Sequence, residues 1–246
     1  MFEYRLIGHR GEPAHWPENS LRGFRAALEA GACYVETDVQ ITADRVPVLC
    51  HDDSLLKMTG HDLPVTETTS SDVLALPAGF PERFGDRFGG ESIATLGEFA
   101  AMLAQWPNAR AFVEIKLTSV LAFGVRPVVD LIVDALVRVR AQVIPISIEY
   151  RALQYLRTNT ELPIGWVLPE WSDATRRLAD VLEPEYLFVD RKCVPGLTET
   201  LWQGPWRWAA YTANRTFEIE HLFEHGFDLV ETDAISQMMR DLKERG

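Results

Sequence analysis

His9 and Arg10 close the apolar run Leu6-Ile7-Gly8, and His51 closes a shorter run that ends at Cys50. Four further pairs of polar residues at i, i+2 spacing sit in apolar runs: Glu36 with Asp38, Glu114 with Lys116, Thr212 with Asn214, and Glu231 with Asp233. Alternate side chains of a strand share a face, so the members of each pair project together, roughly 7 Å apart along the chain. Three carboxylates converging in an interior cannot all stay ionised unpaired, because desolvation and mutual repulsion return their protons. A divalent cation resolves the conflict, and an all-oxygen donor set selects a hard ion, Mg²⁺ or Ca²⁺. The expected ligands are Glu36, Asp38 and Glu114.

The two imidazoles then have work that a cation leaves open. Cleaving a phosphate ester requires a base for the nucleophile and an acid for the leaving oxygen, and His9 and His51 on opposite sides of a bound phosphate would supply both. Arg10, with its planar fork, and Lys116, as a point charge, are the expected clamps on the phosphate oxygens. Glu18 is expected to hold Arg10 or His51, and Asn19 to shape the turn before Ser20. Thr212, Asn214, Glu231 and Asp233 read as hydrogen-bonding groups at the same end of the strands.

Such a constellation needs a frame that gathers strand ends. Apolar runs "YRLIGHR", "CYVETDVQI", "AFVEIKL", "VIPISI", "PIGWVL", "YLFVD", "RWAAYTAN" and "DLVETD" alternate with amphipathic segments, "LTETLWQ" at 197–203 among them. Eight strands and eight helices in alternation predict an α/β fold, a (β/α)₈ TIM barrel, in which functional residues collect at the C-terminal ends of the strands. Ser20 caps the first helix and Gly31 ends it. Residues 47–92 break the rhythm: a short strand "PVLCHD" leads into a turn-rich stretch read as a loop and hairpin inserted after the second strand. The 53–92 insertion is placed above the barrel mouth of one domain spanning 1–246.

Composition excludes several classes. With 246 residues, 47% hydrophobic and 24% charged, the chain has the make-up of a globular domain. A net charge of −12 argues against nucleic acid or an anionic membrane as partner. No window is apolar over the roughly 18 residues that a span requires. "MFEYRLIGHRG" carries charges where a signal peptide has its apolar core. Cys33, Cys50 and Cys193 lack CxxC spacing, so neither a zinc site nor a disulfide framework is expected, and the protein is expected in the cytoplasm.

"HRG" at 9–11, "PENS" at 17–20, "GACYVETDVQITADRVPVLCHD" at 31–52 and "VEIK" at 113–116 occur in the order that marks one family. "SIEYRALQYLR", "YTAN" and "ETD" extend the match over nearly the whole chain. The sequence resembles the glycerophosphodiester phosphodiesterases. The resemblance implies a TIM barrel that hydrolyses glycerophosphodiesters to glycerol 3-phosphate and an alcohol with a divalent metal. It places the metal on Glu36, Asp38 and Glu114, and the acid and base on His9 and His51, without saying which is which. The attacking oxygen is water or a neighbouring hydroxyl of the substrate.

Departures from the family pattern are Arg45 for glycine, Ala94 for proline before "TL", Ile148 for an aromatic, Tyr211 for tryptophan, and Ala213 for valine. None falls on the cation or acid-base set, and all bear on the alcohol group. Trp166 and Tyr211, near the ends of the fifth and seventh barrel strands, are the expected lining of an alcohol pocket. Alternatives are a lysophospholipase D, which needs an apolar entrance, and a barrel that binds phosphodiesters without cleaving them. The partner is a small molecule in each case, and the oligomeric state is left open.

Overall fold

Parity along the strands decides which side chains reach the barrel axis. The computed structural model describes residues 5–194 and 200–245. Its strands are β1 (Leu6–Gly8), β2 (Tyr34–Ile41), β3 (Pro47–Leu49), β4 (Arg110–Ile115), β5 (Val143–Ser147), β6 (Gly165–Val167), β7 (Tyr186–Asp190), β8 (Arg207–Tyr211) and β9 (Leu229–Thr232). Eight of them pair in parallel in the order β1-β9-β8-β7-β6-β5-β4-β2, and β1 pairs again with β2 to close the barrel. β3 adds antiparallel to β2 as a hairpin strand. Because both faces of such strands are covered, they read as apolar runs rather than as polar-apolar alternation.

Two apolar layers result. Ile7, Phe112, Ile144, Ile146, Val167, Tyr186, Phe188, Ala209 and Leu229 fill the barrel interior, with Tyr34, Phe112, Tyr186 and Phe188 packed ring against ring. Val35, Val39, Val113, Leu187, Val189 and Val230, on the alternate positions, face the helices. Helix starts follow local chemistry. Ser20 Oγ accepts from Gly23 N at 3.0 Å to start Leu21–Glu29, and Thr95 with Glu98 forms a capping box on Leu96–Leu103. Gly31, at φ +100°, lets the chain leave the first helix.

Three regions differ from the sequence expectation. Residues 53–92 carry short helices within the expected loop insertion: among the described residues these are Leu56–Thr59, Ser70–Ala75 and Pro81–Phe84. Leu55, Met58, Val65, Val73 and Phe80 bury against Val48 and Cys50 in a small core of their own. The expected hairpin is made by β3 on β2. Between β4 and β5, the chain forms two helices, Leu117–Phe123 and Val125–Ala135, broken at Gly124 with φ +85°. Of the helix expected at 197–203, residues 197–199 lie outside the described residues, and 200–203 are not helical. Indoles pack there instead: Trp171 stacks on Trp202 at 4.2 Å, and the Nε1 atoms of Trp206 and Trp208 both donate to the Trp202 carbonyl. Leu201 and Trp202, the apolar residues of 200–203, are buried in this packing rather than on a helix face.

Candidate active site

The mouth at the C-terminal ends of the strands opens into a cavity of about 350 Å³. His9, Arg10, Glu36, His51, Glu114, Lys116 and Glu231 line it on one side, and Ile146, Ile148, Val167, Phe188 and Tyr211 on the other. The charged side is built from β1, β2, β4, β9 and the loop after β3, the apolar side from β5 to β8. All four side chains expected to touch phosphate or move protons, His9, Arg10, His51 and Lys116, meet in this one cavity.

Arg10 turns away from the strand at φ +48°, and Gly11 follows at φ +87°. A Cβ on Gly11 would lie 2.9 Å from the backbone of Gly23 and Phe24, so only glycine lets the first helix approach this turn. The turn aims the Arg10 guanidinium at two carboxylates: Nη1 reaches Glu18 Oε1 at 3.0 Å, and Nε lies 3.0 Å from Asp38 Oδ2. Its backbone N–H donates to Glu36 Oε2 at 3.1 Å. Lys116 Nζ bridges Asp38 Oδ1 at 3.2 Å and Glu114 Oε1 at 3.1 Å.

Glu36, Asp38 and Glu114 each present a carboxylate oxygen within 4.8 Å of the others. Register explains the meeting, since Asp38 on β2 pairs with Glu114 on β4. Burial, then Asp38 and Glu231, pushes the Glu36 carboxyl well above its ordinary range, and among the described residues Glu36 Oε1 has no hydrogen-bond partner. Burial outweighs Lys116 at Glu114 and raises it. Against its own burial, Asp38 is held far below the usual carboxylate range by Arg10 and Lys116. An orphaned buried oxygen and an all-oxygen donor set are what a hard divalent cation requires, so the three residues fit one.

Each histidine is fixed by a carboxylate. His9 Nδ1 bonds Asp233 Oδ1 at 2.7 Å, leaving Nε2 4.0 Å from Glu36 Oε2. Burial works against the imidazolium, yet the Asp233 bond and the Glu231 charge raise His9 overall. His51 Nδ1 bonds Asp52 Oδ1 at 2.6 Å, but burial dominates and lowers this ring. Gln40 Nε2 reaches the His51 and Asp52 carbonyls at 3.4 Å and tethers the loop after β3 to β2.

Sequence reasoning left Asp233, Asn214, Asn19 and Asp52 without these partners. Asn19 donates to Asp38 Oδ2 at 3.0 Å and accepts from Thr37 Oγ1 and the Asp38 N–H. Asp233 shares its strand face with Glu231, and the i, i+2 parity that paired them was the available signal. Tyr211 lines the cavity as expected, whereas Trp166 does not. Parity turns Trp166 outward, where it packs on Tyr150 and donates to the Ile148 carbonyl at 3.4 Å, and Val167 faces the cavity in its place.

Fold and mouth together define a class, the phosphoric diester hydrolases built on a TIM barrel. Within it the chain belongs to the glycerophosphoryl diester phosphodiesterase family, whose model matches residues 9–237. A glycerophosphodiester phosphodiesterase from Caldanaerobacter subterraneus is 28% identical over 250 residues, covering 98% of each chain. A phosphodiesterase from Oleispira antarctica, solved with its product sn-glycerol-3-phosphate, superposes with a TM-score of 0.84. It is 22% identical and is matched over 97% of this chain and 96% of that one. A glycerophosphodiester phosphodiesterase from Agrobacterium tumefaciens superposes at 0.76, with 22% identity over 96% and 99% of the two chains. The activity that goes with this membership is glycerophosphodiester hydrolysis. Among the described residues, no helix is long and apolar enough to cross a membrane.

Proposed function

We propose that the protein hydrolyses glycerophosphodiesters to glycerol 3-phosphate and an alcohol, with Mg²⁺ or Ca²⁺ held by Glu36, Asp38 and Glu114. His9 and His51 act as the acid-base pair. The observation that carries this reading is the matched pair of His-Asp dyads, His9–Asp233 and His51–Asp52, both opening on the cavity of the carboxylate cluster. When bound, the cation cancels charge on a non-bridging phosphate oxygen.

The chain's own residues do the rest. Arg10 and Lys116, already positioned by Asp38, carry positive charge to the phosphate, and Glu18 keeps the guanidinium from swinging out. Each dyad fixes its ring so that Nε2 is the free nitrogen, and one ring takes the nucleophile's proton while the other protonates the departing alcohol oxygen. The apolar wall from Ile146 to Tyr211 excludes water beside the reacting bond.

A second reading, a lysophospholipase D, draws on Leu117 and Ile148, which line the outer cavity and are each 37% exposed, as an entrance for an acyl chain would be. Comparing turnover of glycerophosphocholine with that of its acylated counterpart separates the two. The unpaired cysteines Cys33, Cys50 and Cys193 support a cytoplasmic site of action, and the family match over 9–237 supports a single domain with 53–92 inserted.

The primary test is release of glycerol 3-phosphate from glycerophosphocholine and glycerophosphoethanolamine by metal-stripped protein, with Mg²⁺ or Ca²⁺ added back. Activity should return with a cation and fall by about 10²–10⁴ in His51→Ala. Full activity in the stripped protein, or an active His51→Ala, would refute the mechanism.

A further inference from the structure

Most carboxylates at the mouth have a visible occupation. Asp38 is met by Arg10, Lys116 and Asn19, Glu114 by Lys116, Asp52 by His51, and Asp233 by His9 and Asn214. Glu36 accepts from the Arg10 N–H and joins the cation cluster. Glu231 differs. It is 3% exposed and lines the same cavity, yet among the described residues no N–H or O–H donates to its side chain and no cation pairs with it. Its oxygens open on the cavity, where a bound ligand can supply the donor that the protein does not.

What that donor is follows from the surroundings. Glu231 pairs in register with Ile7, so it sits on the floor of the mouth, two residues before Asp233. It stays outside the group of oxygens that lie within 4.8 Å of one another, which sets it apart from the cation ligands. In its ionised form it would repel a phosphate oxygen. An ammonium group would be repelled by Arg10 and Lys116, which line the same cavity. A neutral hydroxyl meets neither objection.

We infer that Glu231 accepts a hydrogen bond from a hydroxyl of the substrate's polyol part and so separates glycerol esters from esters of plain alkyl alcohols. The inference rests on the phosphodiesterase reading above and assigns its selectivity to one residue on the cavity floor. A site built to bond a hydroxyl penalises the analogue that lacks it, and one bond to a charged acceptor corresponds to about ten- to a hundredfold in affinity.

The test is calorimetric binding of glycerol 3-phosphate and of propyl phosphate, in the presence of Mg²⁺ or Ca²⁺, to the wild type, Glu231→Gln and Glu231→Leu. Turnover of glycerophosphocholine is measured alongside. The wild type should prefer glycerol 3-phosphate about ten- to a hundredfold. Leu should erase most of that preference, and Gln, which keeps one acceptor oxygen, should erase less. Equal binding of the two ligands by the wild type, or equal weakening of both by the substitutions, would overturn the inference. If Leu fails to fold, the near-isosteric Gln carries the comparison alone. A wild type that binds with the expected preference but does not turn over glycerophosphocholine would refute the hydrolysis reading and leave this one supported.

Discussion

Two copies of the tripeptide Glu-Thr-Asp flank β1, one within β2 at 36–38 and one at the end of β9 at 231–233. Each is strapped by an asparagine in the same way. Asn19 Oδ1 accepts from Thr37 Oγ1 and the Asp38 N–H while Nδ2 donates to Asp38 Oδ2; Asn214 does the same to Thr232 and Asp233. What differs is the partner across the mouth. Asp38 faces two permanent cations, Arg10 and Lys116, and Asp233 faces a titratable imidazole, His9. The glutamates differ in depth, since Glu231 pairs with Ile7 while Glu36 lies one residue beyond Val35, the partner of Gly8. One local hydrogen-bonding device thus serves a fixed charge on one side of β1 and a titratable ring on the other.

Asp38→Asn should show the largest effect. It leaves Arg10 and Lys116 buried without their shared countercharge, which corresponds to a stability loss of about 3–5 kcal/mol by urea denaturation, together with loss of activity. A well-folded, active Asp38→Asn would break the contrast between the two triplets.

Asp233→Asn comes next, with activity falling about 10- to 100-fold. It should also move the pH profile of kcat/KM. Asp233 raises the His9 pKa, so its removal lowers it. With His9 as the acid the alkaline limb moves to lower pH; with His9 as the base the acidic limb does. The limb that moves names the role, and a profile that stays put would detach Asp233 from His9.

The two straps sharpen the comparison further. Asn19 is buried and Asn214 exposed, so Asn19→Ala leaves unsatisfied groups that water cannot reach. Its cost is about 1–3 kcal/mol, and that of Asn214→Ala less. Equal melting-point losses would show that burial does not separate them.

The smallest effect is on stability against pH. His9, raised on folding, contributes stability that is full below its unfolded pKa of about 6.5 and is lost as pH rises through the folded value. Asp233, lowered on folding, contributes above about 3.9 and loses its share as pH falls through the folded value. The stability gap between wild type and Asp233→Asn should therefore be widest between about pH 4 and 6.5, and of order 1 kcal/mol for a pair that solvent partly screens at Asp233. A gap that keeps growing above pH 8 would contradict it.

The carboxylate cluster was legible because strand parity is a local property. Tyr34, Glu36 and Asp38 face inward whatever the rest of the chain does, and β2 is long enough to show it. Parity could not be read from Gly165-Trp166-Val167, where all three residues are buried; it is set by register, since Trp166 pairs with the helix-facing Leu187 and Val167 with the inward Phe188. The short helices of the insertion were not legible because turns and helix starts there share the same Gly, Pro and Asp residues; what organises them is a core assembled from positions as distant as Val48 and Ile93. Partnerships such as His9–Asp233 join the two ends of the chain, and no spacing rule reaches across 224 residues.

The indole cluster beside β8 gives the molecule an optical signature. Four of its seven tryptophans, Trp171, Trp202, Trp206 and Trp208, meet there, and the Trp171 and Trp202 rings lie 27° from parallel. Rings this close couple electronically, so near-ultraviolet circular dichroism should be dominated by this one side of the barrel. Followed during unfolding alongside activity, that band would report whether the wall that lacks a described helix opens before the wall that carries the carboxylates.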